Sequence, residues 1–194
     1  MEEKSVIAIH GCGFKNKNEI CQVGKLRLET LSQFKKEEVT NLIISGGVPY
    51  EKNSELLAKL MGQWIKKSGI QWRNIDYATN CFNSSTAVQN ILSIAQQQKF
   101  DRLIVISSYW HLWALKPIYK YWGRELNFHS TIHPYHSHKN MDRYLTSKQT
   151  RVFYFFYACL IRLAIWLHLF EPLDKFLSST FSKRKNGYPV SGCS

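Results

Sequence analysis

The side chains able to do chemistry gather behind three short apolar runs. Val6-Ile7-Ala8-Ile9 leads into His10-Gly11-Cys12-Gly13, Leu42-Ile43-Ile44 into Ser45-Gly46-Gly47, and Leu103-Ile104-Val105-Ile106 into Ser107-Ser108-Tyr109-Trp110-His111. Glycines let a backbone approach a ligand closely, and loop N–H groups backed by helix N-termini suit phosphate or carboxylate. Gly11, Gly13, Ser45, Gly46, Gly47, Ser107 and Ser108 are therefore candidate ligand-binding residues for an anionic small molecule. Arg27 would add charge, and Glu55 and His111 are the candidate acid–base pair. Thr86 and Asn90, one helical turn apart, are further candidates. Each has a plainer role open to it. Glu55 can complement a helix dipole, Arg27 can sit exposed on its helix, His111 can be structural, Thr86 can cap a helix and Asn90 can face water. Gly11-Cys12-Gly13 is not a full dinucleotide fingerprint, and the absence of a Gly-x-Ser-x-Gly elbow disfavours a hydrolase-type serine nucleophile.

Positioning these residues requires strands whose carboxyl ends meet. Apolar runs without alternation read as strands covered on both faces. They alternate with helical patterns through residue 125, which implies right-handed crossovers and an α/β fold: a three-layer Rossmann-like sandwich with a mostly parallel sheet. In such a sheet the strand-end loops line one crevice, so Gly13, Gly47 and His111 should be neighbours. Leu26, Leu28, Leu31 and Phe34 predict a first helix. A second opens at Asn53 or Ser54 and carries Leu57, Leu60, Met61 and Ile65, and a third follows the caps at 83–86 with Val88, Ile91 and Leu92. Residues 74–78 predict a short extra strand, and 112–122 a helix interrupted or restarted at Pro117. The lysine-rich piece at 15–18 is read as a polar connection.

Composition narrows the function classes. Hydrophobic residues make up 44% and charged ones 21%, which excludes a disordered or collagen-like chain. The net charge of +12 favours anionic partners. Nucleic acid is not expected, because no arginine-rich arm, zinc-finger spacing or RNA-binding aromatic signature accompanies the charge. The five cysteines include no C-x-x-C pair, so reduced thiols and a cytoplasmic setting are the expectation. Met1-Glu2-Glu3-Lys4 followed by a four-residue apolar run is no secretory signal. His129, His133, His136 and His138 lack the spacing and carboxylate partners of a metal site, and a solvated loop or an edge strand at 127–132 is expected there.

The division expected is an α/β domain at 1–150, a helical segment at 151–181 and a loose basic tail at 182–194. Residues 152–170 would extend about 28 Å as a helix, near the roughly 30 Å of a bilayer core. Arg162 near the middle opposes a span, at about 2.5 to 3.5 kcal/mol. Packing on the sheet, lying against an anionic membrane face and spanning are the three readings. The interfacial one would leave the protein peripheral at the inner face of the membrane.

The chain resembles the YdcF/SanA/ElyC family of bacterial envelope-associated proteins over about residues 5 to 170. The resemblance rests on the opening strand and glycine-rich loop, Arg27, Ile43-Ile44-Ser45-Gly46-Gly47 with Ser54-Glu55 and Met61, the stretch 83–90, and Val105-Ile106-Ser107-Ser108-Tyr109-Trp110-His111. It implies a Rossmann-like domain with a pocket at the strand ends, a phosphorylated or nucleotide-like ligand, a link to cell-wall precursor metabolism, and in some members an S-adenosylmethionine-like ligand. Two departures stand out. Ala114 falls where the family carries an arginine, and Thr86 and Asn90 are one residue too far apart. A non-catalytic binding module with a degenerate site is the alternative the departures favour.

Overall fold

The computed structural model describes residues 4–34, 39, 41–47, 55–70, 72–81, 83–136 and 148–182. From the amino end the elements are β1 (Ser5–His10), β2 (Phe14–Asn16), β3 (Glu19–Ile20), α1 (Gln22–Glu29) with a 3₁₀ turn (Thr30–Gln33), β4 (Asn41–Ser45) and α2 (Leu57–Lys67). There follow β5 (Asn74–Ala78), α3 (Ser84–Gln97), β6 (Arg102–Ser107), α4 (Tyr109–Glu125), β7 (Thr131–His136), α5 (Lys148–Trp166) and α6 (Phe170–Ser182). Five strands form one sheet in the order β5-β4-β1-β6-β7, every neighbouring pair parallel. β2 and β3 form a separate antiparallel hairpin.

β1 is central, paired with β4 on one side and β6 on the other, and all six of its residues are buried. Val6 and Ala8 point into a core shared with α3, α4 and α5, whereas Ile7 and Ile9 point into the core under α2. Strand alternation thus assigns one apolar residue to each face in turn, which is why the run shows no polar interruption. From β1 the chain winds outward through β4 and β5, then returns to the other side of β1 for β6 and β7. The direction reverses between β1 and β6. A crevice at the carboxyl ends of the strands belongs at such a switch point.

Several boundaries differ from expectation. α2 begins at Leu57, with Leu56 as its extended N-cap, and Asn53 and Ser54 lie outside the described residues. The polar piece at 15–18 is the turn end of the β2–β3 hairpin. The histidine-rich segment forms its strand at Thr131–His136, four residues later than the start expected, pairing with β6. Helix α4 runs unbroken through Pro117. Proline removes the N–H that would bond to the carbonyl four residues earlier, here that of Trp113. Arg162 Nη2 of α5 lies 3.4 Å from that same carbonyl and its guanidinium lies 4.3 Å from the centre of the Trp113 ring. A tertiary donor therefore occupies the acceptor the proline leaves, and Arg162 has a structural reason to interrupt an apolar helix.

α5 and α6 pack on the sheet side that carries α4. Ile161, Ala164 and Phe170 join that core, and Trp113 stacks on Phe155 at 5.6 Å. Among the described residues no helix is long and apolar enough to cross a membrane.

Candidate functional site at the switch point

Arg27 is the organising side chain. α1 is capped at its start by Cys21, whose Sγ accepts from the Gly24 N–H. It turns Val23, Gly24, Arg27 and Leu28 inward. The Arg27 side chain is 1% exposed. Its Nη1 donates to the His10 carbonyl at 2.7 Å and the Gly11 carbonyl at 3.1 Å, and its Nη2 donates to Ser108 Oγ at 3.0 Å. One guanidinium thus spans the end of β1 and the start of α4 across the switch point. Its Nε is buried without a hydrogen-bond partner, and among the described residues no carboxylate forms an ion pair with it.

Beside Arg27 lies a buried imidazole pair. The rings of His10 and His111 meet edge to face at 5.5 Å. His10 Nε2 lies 2.8 Å from the Tyr119 hydroxyl. His111 Nδ1 lies 2.8 Å from Ser107 Oγ and its Nε2 3.2 Å from Ser84 Oγ. Burial, then the Arg27 charge, pushes His10 down to about 3. Burial first, then Arg27 and His10, holds His111 well below the usual imidazole range. Both are neutral at pH 7, so in each ring one nitrogen donates and the other accepts.

Neutral burial of two histidines carries a pH dependence. In the unfolded chain they take up protons near pH 6.5, whereas in the folded protein they do so only far lower. Below about pH 6.5 the unfolded state binds more protons, so the stabilisation present at neutral pH is lost as pH falls toward 3. The expected slope is up to about 1.4 kcal/mol per pH unit for each histidine. Denaturant midpoints between pH 7 and pH 5 should fall accordingly, and the His10→Gln variant should show a shallower slope. A flat profile in the wild type would contradict the neutral pair.

The sequence candidates divide. Arg27, Ser107, Ser108 and His111 come together, with Gly11 contributing a carbonyl. Ser108 is the N-cap residue of α4, but its hydroxyl accepts from Arg27 and makes no side-chain cap. With no acid in the first turn, the positive end of this 17-residue helix faces the same place. Ser45, Gly46 and Gly47 serve packing between backbones. Ser45 Oγ donates to the Ile9 carbonyl at 3.4 Å, and its own carbonyl accepts from the Gly11 N–H. The Gly46 N–H bonds to the Ala78 carbonyl, and a Cβ on Gly47 would lie 1.7 Å from the Thr79 oxygen. The Gly13 carbonyl accepts from the Cys21 N–H as the hairpin closes.

Thr86 completes a capping box with Asn83, and Asn90 Nδ2 donates to the Asn80 carbonyl at 2.6 Å. Glu55 is exposed just ahead of α2, and no hydrogen bond or ion pair joins it to Arg27 or His111. Among the described residues no three His, Cys, Asp or Glu side chains assemble as a metal centre requires. Sequence reasoning overlooked His10, Ser84 and Tyr119 as members of the cluster. The signal for His10 was its place, directly ending an apolar run as Ser45 and Ser107 do. That for Tyr119 was its spacing of eight from His111, two turns along one helix face.

The chain is a Rossmann-like α/β protein whose switch point carries a buried guanidinium, two neutral imidazoles and several hydroxyls. No family model and no curated protein matches it.

Proposed function

We propose that this protein binds a small phosphorylated or nucleotide-like anion at the switch point between β1 and β6. The observation that carries the reading is Arg27, a charge taken out of water whose hydrogen-bond partners are two carbonyls and a hydroxyl. Those groups satisfy N–H donors and carry no net charge, while removing an ion from water costs several kcal/mol even after relaxation. An anion supplies the missing counter-charge, and the α4 N-terminus adds N–H donors beside it. Neutral imidazoles, held in place by Ser84, Ser107 and Tyr119, suit such a site because they add no second buried charge beside Arg27.

The resemblance to the YdcF/SanA/ElyC family supports the same chemistry and would connect it to envelope precursor metabolism. The carboxylate of an S-adenosylmethionine-like ligand would answer the same charge. Under the catalytic form of the reading, His111 passes the proton and Glu55 approaches with the ligand. Under the binding form, Ala114 in place of the family's arginine leaves a site that holds without turnover. The test is saturable binding of inorganic phosphate or adenosine monophosphate that is lost when Arg27 is replaced by Met.

A second reading, contact with an anionic membrane face, is supported by the outer surface of α5 and α6. Phe156, Leu163, Trp166 and Phe176 are each more than half exposed, at 65%, 51%, 75% and 65%, and those on α5 follow helical spacing. The chain's net charge of +12 would add attraction to an anionic surface on which such an apolar face could lie. Co-sedimentation with vesicles containing phosphatidylserine should fall at least tenfold in Phe156→Ser/Trp166→Ser. Unchanged co-sedimentation would remove this reading.

A further inference from the structure

Two adjoining cavities lie on the β7 side of α4. The first, of about 280 Å³, is walled by Val105, Leu112, Leu115, Ile132 and Pro134, with Lys116, Lys120 and Ser130 at its margin. Tyr119 adds its ring to this wall, its hydroxyl being engaged by His10 Nε2. The second, of about 490 Å³, is more polar and is lined by Gly123, Arg124, Asn127, Phe128 and His129. Tyr119, Lys120 and Ile132 border both. Lys116 and Lys120 thus border the largely apolar cavity, and Lys120 and Arg124 border the more polar one.

The charges along these cavities are ordered. Lys116, Lys120 and Arg124 recur every fourth residue of α4, so they stand above one another on one face, about 6 Å apart. All three are exposed, and among the described residues none forms an ion pair. A row of exposed cations beside an apolar hollow complements a molecule with an anionic head and a hydrocarbon tail. Taking a methylene as comparable to a water molecule's share of liquid, about 30 Å³, the apolar cavity holds a chain of roughly nine or ten carbons.

We propose that this face binds a single-chain amphiphile with an anionic headgroup, its tail in the 280 Å³ cavity and its head among Lys116, Lys120 and Arg124. A neutral head leaves the cations unanswered, and an acidic peptide leaves the apolar end unfilled. The site is separate from the Arg27 cluster, although Tyr119 touches both.

The test is calorimetric titration of the full chain with decanoate and with decyl phosphate, below their micelle concentrations, against decanol and inorganic phosphate. One saturable site is expected for both charged ligands, and the tighter of the two identifies the head as carboxylate or phosphate. Each methylene removed should weaken binding about fourfold. Decanol should bind at least tenfold more weakly. Lys116→Glu/Lys120→Glu should weaken the charged ligands at least tenfold without moving the thermal midpoint, both side chains being exposed. Equal binding of decanol and decanoate would overturn the proposal. So would wild-type affinity in the double variant, or saturation by a glutamate-rich peptide with no binding of either amphiphile.

Discussion

Arg27→Met is expected to destabilise the protein by about 2–4 kcal/mol and to abolish the protection that phosphate gives the wild type. The first effect follows from the side chain's partners. The carbonyls of His10 and Gly11 and the hydroxyl of Ser108 lose their donor together, and buried acceptors left unpaired cost about 1–3 kcal/mol each. Relief of the desolvated charge offsets part of that loss. The second effect follows from linkage. A ligand that binds only the folded wild type at a hundred times its Kd adds about 2.7 kcal/mol, and a protein without the guanidinium gains none of it. Arg27→Lys keeps the charge but loses the fork that reaches β1 and α4 at once, so it should retain partial protection at lower stability. Thermal melts of the three proteins, with and without phosphate, give both quantities. Equal protection of wild type and Arg27→Met would remove Arg27 from any role in anion binding.

Gly47→Ala, in the loop after β4, is expected to be the most damaging methyl addition among the described glycines. Its Cβ would lie 1.7 Å from the Thr79 oxygen and 2.4 Å from the Cys81 nitrogen, both backbone atoms of the loop after β5. Overpacking usually costs about 1–3 kcal/mol, but here no side-chain rotation relieves it, so a loss of at least about 3 kcal/mol is expected. Gly123→Ala is the matched control. Nothing lies within 4 Å of its Cβ position in α4, and helix propensity alone should add about 0.5–1 kcal/mol. Denaturant midpoints compare them directly. A wild-type midpoint for Gly47→Ala would show that the loops after β4 and β5 do not pack as described.

The residues that defined the fold from sequence were those buried on both sides. The stretches around Ile7, Ile43 and Val105 face helices above and below, and their unbroken apolar character records this. The five-residue strand at Asn74–Ala78, half-buried at the sheet edge, pairs in register with β4 where the sequence predicts a short extra strand. What could not be read was the direction of single polar side chains. Arg27 lies between Leu26 and Leu28 in an eight-residue helix, and the expected apolar stripe ran through the leucines. Leu28 and Leu31 of that stripe are buried, but Val23, Gly24 and Arg27 share the inward face, since glycine leaves room and the guanidinium finds acceptors.

Pro117 shows the same limit in another form. Local stereochemistry argues for a break, whereas tertiary contacts hold the helix intact: the burial of Leu112, Leu115 and Ile118, and the approach of Arg162, 45 positions later, to the Trp113 carbonyl. The glycines after β4 invited a ligand reading from their type alone. Their neighbours Ala78 and Thr79 belong to a different strand and its loop, so that packing role is invisible in one dimension.

The central claim is that Arg27 supplies the charge that a small anion answers at the β1–β6 switch point. The most direct measurement is a calorimetric titration of adenosine monophosphate into the wild-type protein, with adenosine as the uncharged comparison. Saturable binding at a Kd of about 1 mM or tighter is predicted. Adenosine should bind at least tenfold more weakly, since charge-assisted hydrogen bonds contribute about 1.5–3 kcal/mol. Equal affinities for the two, or no heat of binding from adenosine monophosphate and none from inorganic phosphate, would contradict the account.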